Sequence, residues 1–280
     1  MQKSLKIVSI VFCSLIFCLA LFFAFNSKSE IKVLAETSVS IKIGETEYVN
    51  GVDENPLQTA INNAPNNVLT EIKLSGEIVL SQTITIQGTS GAEKIIKFVA
   101  EDNATLIRNS ANTEFIMFNI SEYSKVYFET ADGVELIIDG NRTSSNIGNY
   151  TIFKNAGYLN IKGNVKIQNN YVSNNGAGIL SEAGSTTELY NVVMTKLQAR
   201  DKGGAICNSG TLELYNCKLQ DNIAGSFGGA ICLISGSAEL EGSNFDNNIL
   251  TNLAFTLDYK CYGGAIGVYA GKVSSTNCAI

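Results

Sequence analysis

Two short polar clusters and one pair of cysteines are the residues in this 280-residue sequence whose types and spacing could do chemistry. Asp139-Gly140-Asn141-Arg142 and Arg200-Asp201-Lys202 each set a carboxylate beside a guanidinium or ammonium group, the pairing that general acid–base chemistry uses. Both also spell ordinary turns, because Asp-Gly and Asp-Lys-Gly-Gly supply the side-chain-to-backbone bonds and φ freedom that tight turns need. Cys207 and Cys232 are 25 residues apart, and each closes the same pentapeptide Gly-Gly-Ala-Ile-Cys. The sequence has no histidine. That removes imidazole bases, Ser-His and Cys-His nucleophile pairs, and most zinc chemistry. It contains no phosphate-binding loop, nucleotide motif or metal-ligand cluster.

What positions these residues is a repeat. Residues 203–222, GGAICNSGTLELYNCKLQDN, recur: 228–232 restates 203–207, Gly263-Gly264-Ala265-Ile266 is a third copy, and Gly176-Ala177-Gly178-Ile179 is a worn earlier one. A second phrase follows, an apolar residue with Asn three positions later, at 219–222, at 245–248 and upstream at 167–170; the copy at 194–197 ends in Leu197 instead. Between the phrases a glycine opens an alternating run, as in 210–216 and 236–240. Self-similarity at a fixed period of roughly 20–50 residues denotes a solenoid, propeller or array. The runs have period 2, turns of Gly, Asn and Ser separate them, and none has helical spacing. A propeller blade needs about 40–50 residues, so the expected fold is all-β, a right-handed parallel β-helix.

Coils stacked about 4.8 Å apart place like residues over like. Ile206, Ile231 and Ile266 should then form an inward stack, and Asn170, Asn222 and Asn248 a turn ladder of hydrogen-bonded amides. The same spacing brings the Cα atoms of Cys207 and Cys232 about 4.8 Å apart, inside the roughly 4.4–6.8 Å window of a disulfide. Alternation against Ile206 and Ile231 points both thiols outward, to accessible positions. The other reading is a reduced stack of small hydrophobes. Cys217 and Cys278 also share a position, but the rung holding Ser243 separates them by about 9.6 Å, too far to bridge.

The pairing of GGAI with an apolar-x-x-Asn tetrapeptide resembles the repeats of chlamydial-type polymorphic outer membrane proteins and, more broadly, of bacterial surface proteins with right-handed parallel β-helix repeats. The resemblance covers residues 160–280 and, weakly, the coils before them. It implies adhesion, with a host or bacterial surface ligand or glycan as partner. The sequence departs from that family in carrying no transporter barrel region. An enzymatic alternative is a polysaccharide lyase or glycoside hydrolase, since many β-helices of this outline cut acidic glycans; another is a non-catalytic carbohydrate-binding module. Cleavage would require paired carboxylates, or acidic Ca2+ ligands with a Lys or Arg base. Asp139, Arg142, Arg200 and Asp201 are the surface candidates for it, and calcium is a cofactor only under that alternative. The expectation leans away from an enzyme and toward no cofactor.

Composition sets the remaining bounds. Hydrophobic residues make up 45% of the chain and charged residues 16%, which is enough for a core and argues against disorder. Residues 36–280 carry 16 basic and 25 acidic side chains, net −9, a poor surface for nucleic acid. Lys3 and Lys6 precede an uncharged apolar run over residues 7–25, and Val33-Leu34-Ala35 offers a cleavage site, so residues 1–35 read as a signal peptide. A membrane anchor is the other reading, because 19 apolar residues just span a bilayer. Either reading exports the body of the chain, to the cell surface or beyond.

Residues 36–54 form a leading segment with a strand near Val39, Ile41 and Ile43, and 55–280 form the solenoid, with clean repeats from about 160. Asn55, Pro56 and the helical spacing of Leu57, Ala60, Ile61 and Ala64 predict a short helix that caps the N-terminal end. Strands are expected at 71–74, 77–80, 83–86, 94–99, 105–108, 115–120, 125–128 and 134–138. Residues 250–262 read as an insertion. Residues 271–280 track 210–219 and stop where an Asn turn should follow, so the sequence reads as a piece of a longer protein whose anchor lies in the missing part. Binding would be sought on the outward Thr211, Glu213 and Tyr215 and on the insertion.

Overall fold

The computed structural model describes residues 40–43, 46–49, 56–111, 114–142, 150–251 and 263–280. The leader and most of the insertion lie outside the described residues. The chain is a parallel β-solenoid with one short helix, α1, at Pro56–Asn63. Each coil contributes to three faces. The first is a seven-stranded parallel sheet in chain order, Ile84–Ile86, Phe118–Ile120, Phe153–Asn155, Ile179–Ser181, Ile206–Asn208, Ile231–Leu233 and Ile266–Val268. The second face runs through Ser124–Thr130, Tyr158–Lys162, Thr186–Tyr190, Thr211–Tyr215, Ser237–Glu241 and Lys272–Thr276. The third runs through Leu136–Asp139, Val165–Val172, Val193–Ala199, Lys218–Gln220 and Asn244–Asp246. Leu69–Leu80 and Lys94–Arg108 bend from the second face into the third without a break. The expected early strands are therefore present, some of them fused.

Register makes the core a set of columns. On the first face Ile84, Phe118, Phe153, Ile179, Ile206, Ile231 and Ile266 lie over one another, as expected for the last three. On the second, Ile72, Phe98, Phe128, Ile161, Leu189, Leu214 and Leu240 do the same, and the next rung sets Ser275 there. All of these apolar residues are buried except Ile266, which is partly so. The early coils hold a block of phenylalanines: Phe98 stacks on Phe128 at 4.6 Å, Phe118 on Phe153 at 5.1 Å, and Phe118 meets Phe128 edge-on at 5.3 Å. Such contacts add about 0.5–1.5 kcal/mol each beyond area burial.

Left-handed backbone recurs at fixed places in the coils. One such place, on the third face, holds Asn141, Asn169, Lys196, Asp221 and Asn247, with φ of 54°, 53°, 54°, 55° and 49°. Asn and Asp tolerate this conformation because their short polar side chains bond locally; Lys has no such compensation. The following position carries the ladder. Asn222 Nδ2 donates to Asn248 Oδ1 at 3.0 Å and to Met194 O at 3.1 Å, while Asn222 Oδ1 accepts from Leu197 N at 3.1 Å. Leu197 interrupts the expected ladder, so Asn170 bonds instead to Tyr150 O and Ala177 O and accepts from Arg108 at 2.6 Å.

A solenoid's first coil exposes unpaired backbone on every face. Here Ser40–Ile43 pairs antiparallel with residues 71–73 and with Thr46–Val49, covering the second-face edge with a hairpin. The first-face edge is covered by α1. Its Leu57, Ala60 and Ile61 are buried in the core, and Gln58 stands in for a missing coil: Oε1 accepts from Thr85 N at 2.7 Å and Nε2 donates to Thr85 O at 3.0 Å. Lys94 Nζ donates to Ala64 O at 2.6 Å, a cation at the negative end of the helix.

Gln58→Leu should remove both bonds to Thr85 and cost about 1–3 kcal/mol in urea denaturation, because two partly buried backbone groups lose their partner. Lys196→Asn should raise stability by about 1 kcal/mol, read by the same measurement, since Asn tolerates the left-handed position where Lys does not.

Candidate functional site

The polar clusters singled out by spacing do not converge. Asp139 is only 9% exposed, so it is not a surface residue. Its Oδ1 accepts from Asn141 N at 2.7 Å, and its Oδ2 accepts from Gln168 Nε2 at 2.7 Å and Asn169 Nδ2 at 2.9 Å, which makes it the keystone of a turn. Arg142 leaves Asp139 and reaches Gln198 Oε1 at 2.7 Å, lying 5.2 Å over the Tyr171 ring. Arg200 is exposed. Asp201 pairs with Lys202 at 2.6 Å through Oδ2 and accepts from Ser226 Oγ through Oδ1. Asp201 follows the strand Val193–Ala199, and the Val165–Val172 strand intervenes between that strand and Asp139, so the two carboxylates belong to different rungs. Among the described residues there is no group of three or more Cys, Asp or Glu arranged to hold a metal ion.

Near Asp139 lies a residue that spacing did not reveal. Arg108 is fully buried, bonding Asn170 Oδ1, Tyr150 O and Thr151 O, and burial pushes its guanidinium down to about 10 against the pull of Asp139. It ties the third face to the start of the next first-face strand.

The thiols of Cys207 and Cys232 are in the predicted register but not on an accessible surface: they are 2% and 0% exposed. The reason is the glycine turn. Gly203 has φ 61°, and a Cβ there would sit 2.1 Å from Ile206 O; a Cβ on Gly176 would lie 3.1 Å from Cys207 Cβ. Only glycine lets this backbone fold flat against the outer side of the three-residue strand, and in doing so it roofs the thiols. Cys217 is buried as well, its backbone N bonded to Ser243 Oγ at 3.0 Å in the intervening rung.

Residues with solvent access and repeated chemistry do come together on the outer side of the second face. The strands Thr186–Tyr190 and Thr211–Tyr215 both read Thr-x-Glu-x-Tyr, and Ser237–Glu241 follows as Ser-x-Glu-x-Glu. Register therefore builds three rows: Thr186, Thr211 and Ser237; Glu188, Glu213 and Glu239; Tyr190, Tyr215 and Glu241. Tyr190 and Tyr215 stack at 4.8 Å with an interplanar angle of 8°. Glu188 Oε2 accepts from Tyr158 Oη at 2.8 Å and Asn160 Nδ2 at 2.8 Å, and Glu213 Oε2 accepts from Tyr215 Oη at 3.1 Å. A depression of about 520 Å³ opens over Thr211, Glu213, Ser237, Glu239, Lys272 and Ser274.

Upstream on the same face the charges are balanced. Lys97 pairs with Glu129 at 2.7 Å and Glu71 at 3.4 Å, and Lys125 pairs with Glu93 at 2.6 Å. Downstream, Glu188, Glu213, Glu239 and Glu241 make no ion pair with a cation among the described residues. Like charges directly opposite one another across strands are destabilising. No known protein family matches the chain, and neither a curated protein nor a solved structure does. The likeness to polymorphic outer membrane proteins thus rests on the repeat phrases alone.

The outward Thr211, Glu213 and Tyr215 expected from the sequence lie in these rows, and the Thr-x-Glu-x-Tyr phrase at 186–190 is the signal that extends them to Glu188 and Tyr190. Burial, helped by the neighbouring carboxylates, raises Tyr158 and Tyr190 above the ordinary value and pushes Tyr215 up to about 12. In the unfolded chain these phenols titrate near 10.0, so their contribution is fully present below pH 10 and is lost as pH rises toward 12. An ultraviolet absorbance titration should show late-titrating tyrosines, and thermal midpoints should fall across that window; Tyr158→Phe/Tyr190→Phe/Tyr215→Phe should flatten the fall.

Proposed function

We propose that this chain is an exported cell-surface protein, adhesin-like, in which the solenoid is a stalk and the outer second face from Thr186 to Glu241 is the contact surface. The observation that carries this reading is the row Glu188, Glu213 and Glu239: carboxylates held in register, the first two beside hydroxyl and phenol groups, that make no ion pair among the described residues. In-register like charges cost stability, and a ligand carrying ammonium or guanidinium groups offsets that cost on binding. The apolar leader over residues 7–25 supports export, and the GGAI and apolar-x-x-Asn phrases support kinship in design with polymorphic outer membrane protein repeats. The polar clusters at Asp139 and Asp201, committed to turn bonds, favour binding over glycan cleavage.

Two measurements test the proposal. Protease treatment of intact cells expressing the full chain should remove it, whereas retention inside the cell overturns the export reading. Purified protein should bind immobilised glucosamine oligomers with free amines and not their N-acetylated counterparts, with affinity falling as salt rises. Glu188→Gln/Glu213→Gln/Glu239→Gln should weaken that binding about tenfold or more while leaving thermal stability unchanged or slightly higher. Equal binding to the acetylated oligomers would overturn the assignment of the face.

A further inference from the structure

The roofed thiol pair does something that an outward stack would not. Cys207 and Cys232 are direct partners across parallel strands, and both are reduced and buried. On one side their column continues to Leu180, which leaves neither thiol a second sulfur; on the other it continues to Gly267, which has no side chain to wedge against Cys232. At the start of the glycine turn that covers the pair lies Lys202, whose backbone bridges to Phe227 in the next coil and whose Nζ is held by Asp201 at 2.6 Å and sits 5.9 Å from the Phe227 ring centroid. Asp201 is in turn held by Ser226 Oγ, so the clamp spans the same two coils as the thiols.

We infer that Cys207 and Cys232 form a dithiol that oxidises to an intercoil disulfide, with Cys232 as attacking thiol and Lys202 as the positioning cation. The two sulfurs are not equivalent. A hydrogen bond from Cys207, aided by the Lys202 charge, lowers Cys232, while that same contact and burial hold Cys207 protonated. The oxidant is hydrogen peroxide, small enough to reach thiols that the glycine turn covers. The Cys232 thiolate attacks one of its oxygens, the O–O bond breaks, and the hydroxide that leaves takes up a proton. Cys207 then attacks Sγ of the Cys232 sulfenic acid, gives up its proton and expels hydroxide, which leaves as water. Two protein thiols are oxidised and one peroxide is reduced to two waters. Register already pairs the Cα atoms at about the spacing a disulfide needs.

The test uses the full chain, folded, with hydrogen peroxide, and does not depend on what the second face binds. Peptide mapping under non-reducing conditions should recover one Cys207–Cys232 cross-link with Cys217 and Cys278 still free, and the oxidised form should melt about 10 °C higher. Lys202→Met should slow bridge formation about tenfold, and Lys202→Arg should restore it, because thiolate character follows the neighbouring cation. A Cys207 thiol that stays free in the folded protein, or that bridges only after denaturation or to another cysteine, overturns the inference. So does a bridge whose rate is the same in Lys202→Met, which would leave Lys202 a merely structural part of the roof.

Discussion

The backbone of this protein is satisfied between coils, not within them. Nearly every strand N–H and C=O finds its partner one rung away in the same register, as Ile206 does with Ile231 and Ile231 with Ile266. Everything else follows from that dependence. Inward residues must stack on residues of like size, outward residues must tolerate a copy of themselves about 4.8 Å away, and the first rung must borrow a partner from something that is not a coil. Gln58 and the Ser40–Ile43 hairpin are those loans, one a side-chain amide and one an antiparallel strand.

The same dependence explains where polar groups are buried. Asn222 is fully buried, yet its amide serves two neighbouring coils at once, so the ladder replaces backbone bonds that the turn removes. Where the ladder position becomes Leu197, the column has no amide to pass on, and Asn170 is left to end the series against Arg108. A buried guanidinium is costly unless its donors are met; here Gly140, Asn170, Tyr150 and Thr151 accept four hydrogen bonds from its two terminal nitrogens, with Nε alone unpartnered.

The columns of the solenoid were legible because they are written as repeats: the isoleucines of GGAI, the Asn222 and Asn248 rungs, and the period-2 runs all appear in the structure where alternation and period put them. Other features were not legible, each for a physical reason. Alternation assigned Cys207 and Cys232 to the outside, but outside a three-residue strand is the underside of the preceding glycine turn, and only the folded turn shows that. The spacing of Asp139 and Arg142 places Asp139 among the surface candidates; its burial comes from Gln168 and Asn169 in the next coil. Gln58 gave no signal at all, since one glutamine on a capping helix looks like any solvated side chain. The glutamate row was half visible, because it takes the pairing of three coils to turn one acidic residue per repeat into a continuous charge.

The phenylalanine block has a consequence in time. Phe98, Phe118, Phe128 and Phe153 all lie in the early coils, on two different faces, and touch across the interior. In a solenoid each rung is stabilised chiefly by its neighbour, so a rung with no finished neighbour has little to hold it. A chain made from its N-terminus has already synthesised the helix, the hairpin and all four rings before the first GGAI turn exists. The aromatic part of the core is thus made before the aliphatic rungs are added to it, and each new coil has a template on which to dock.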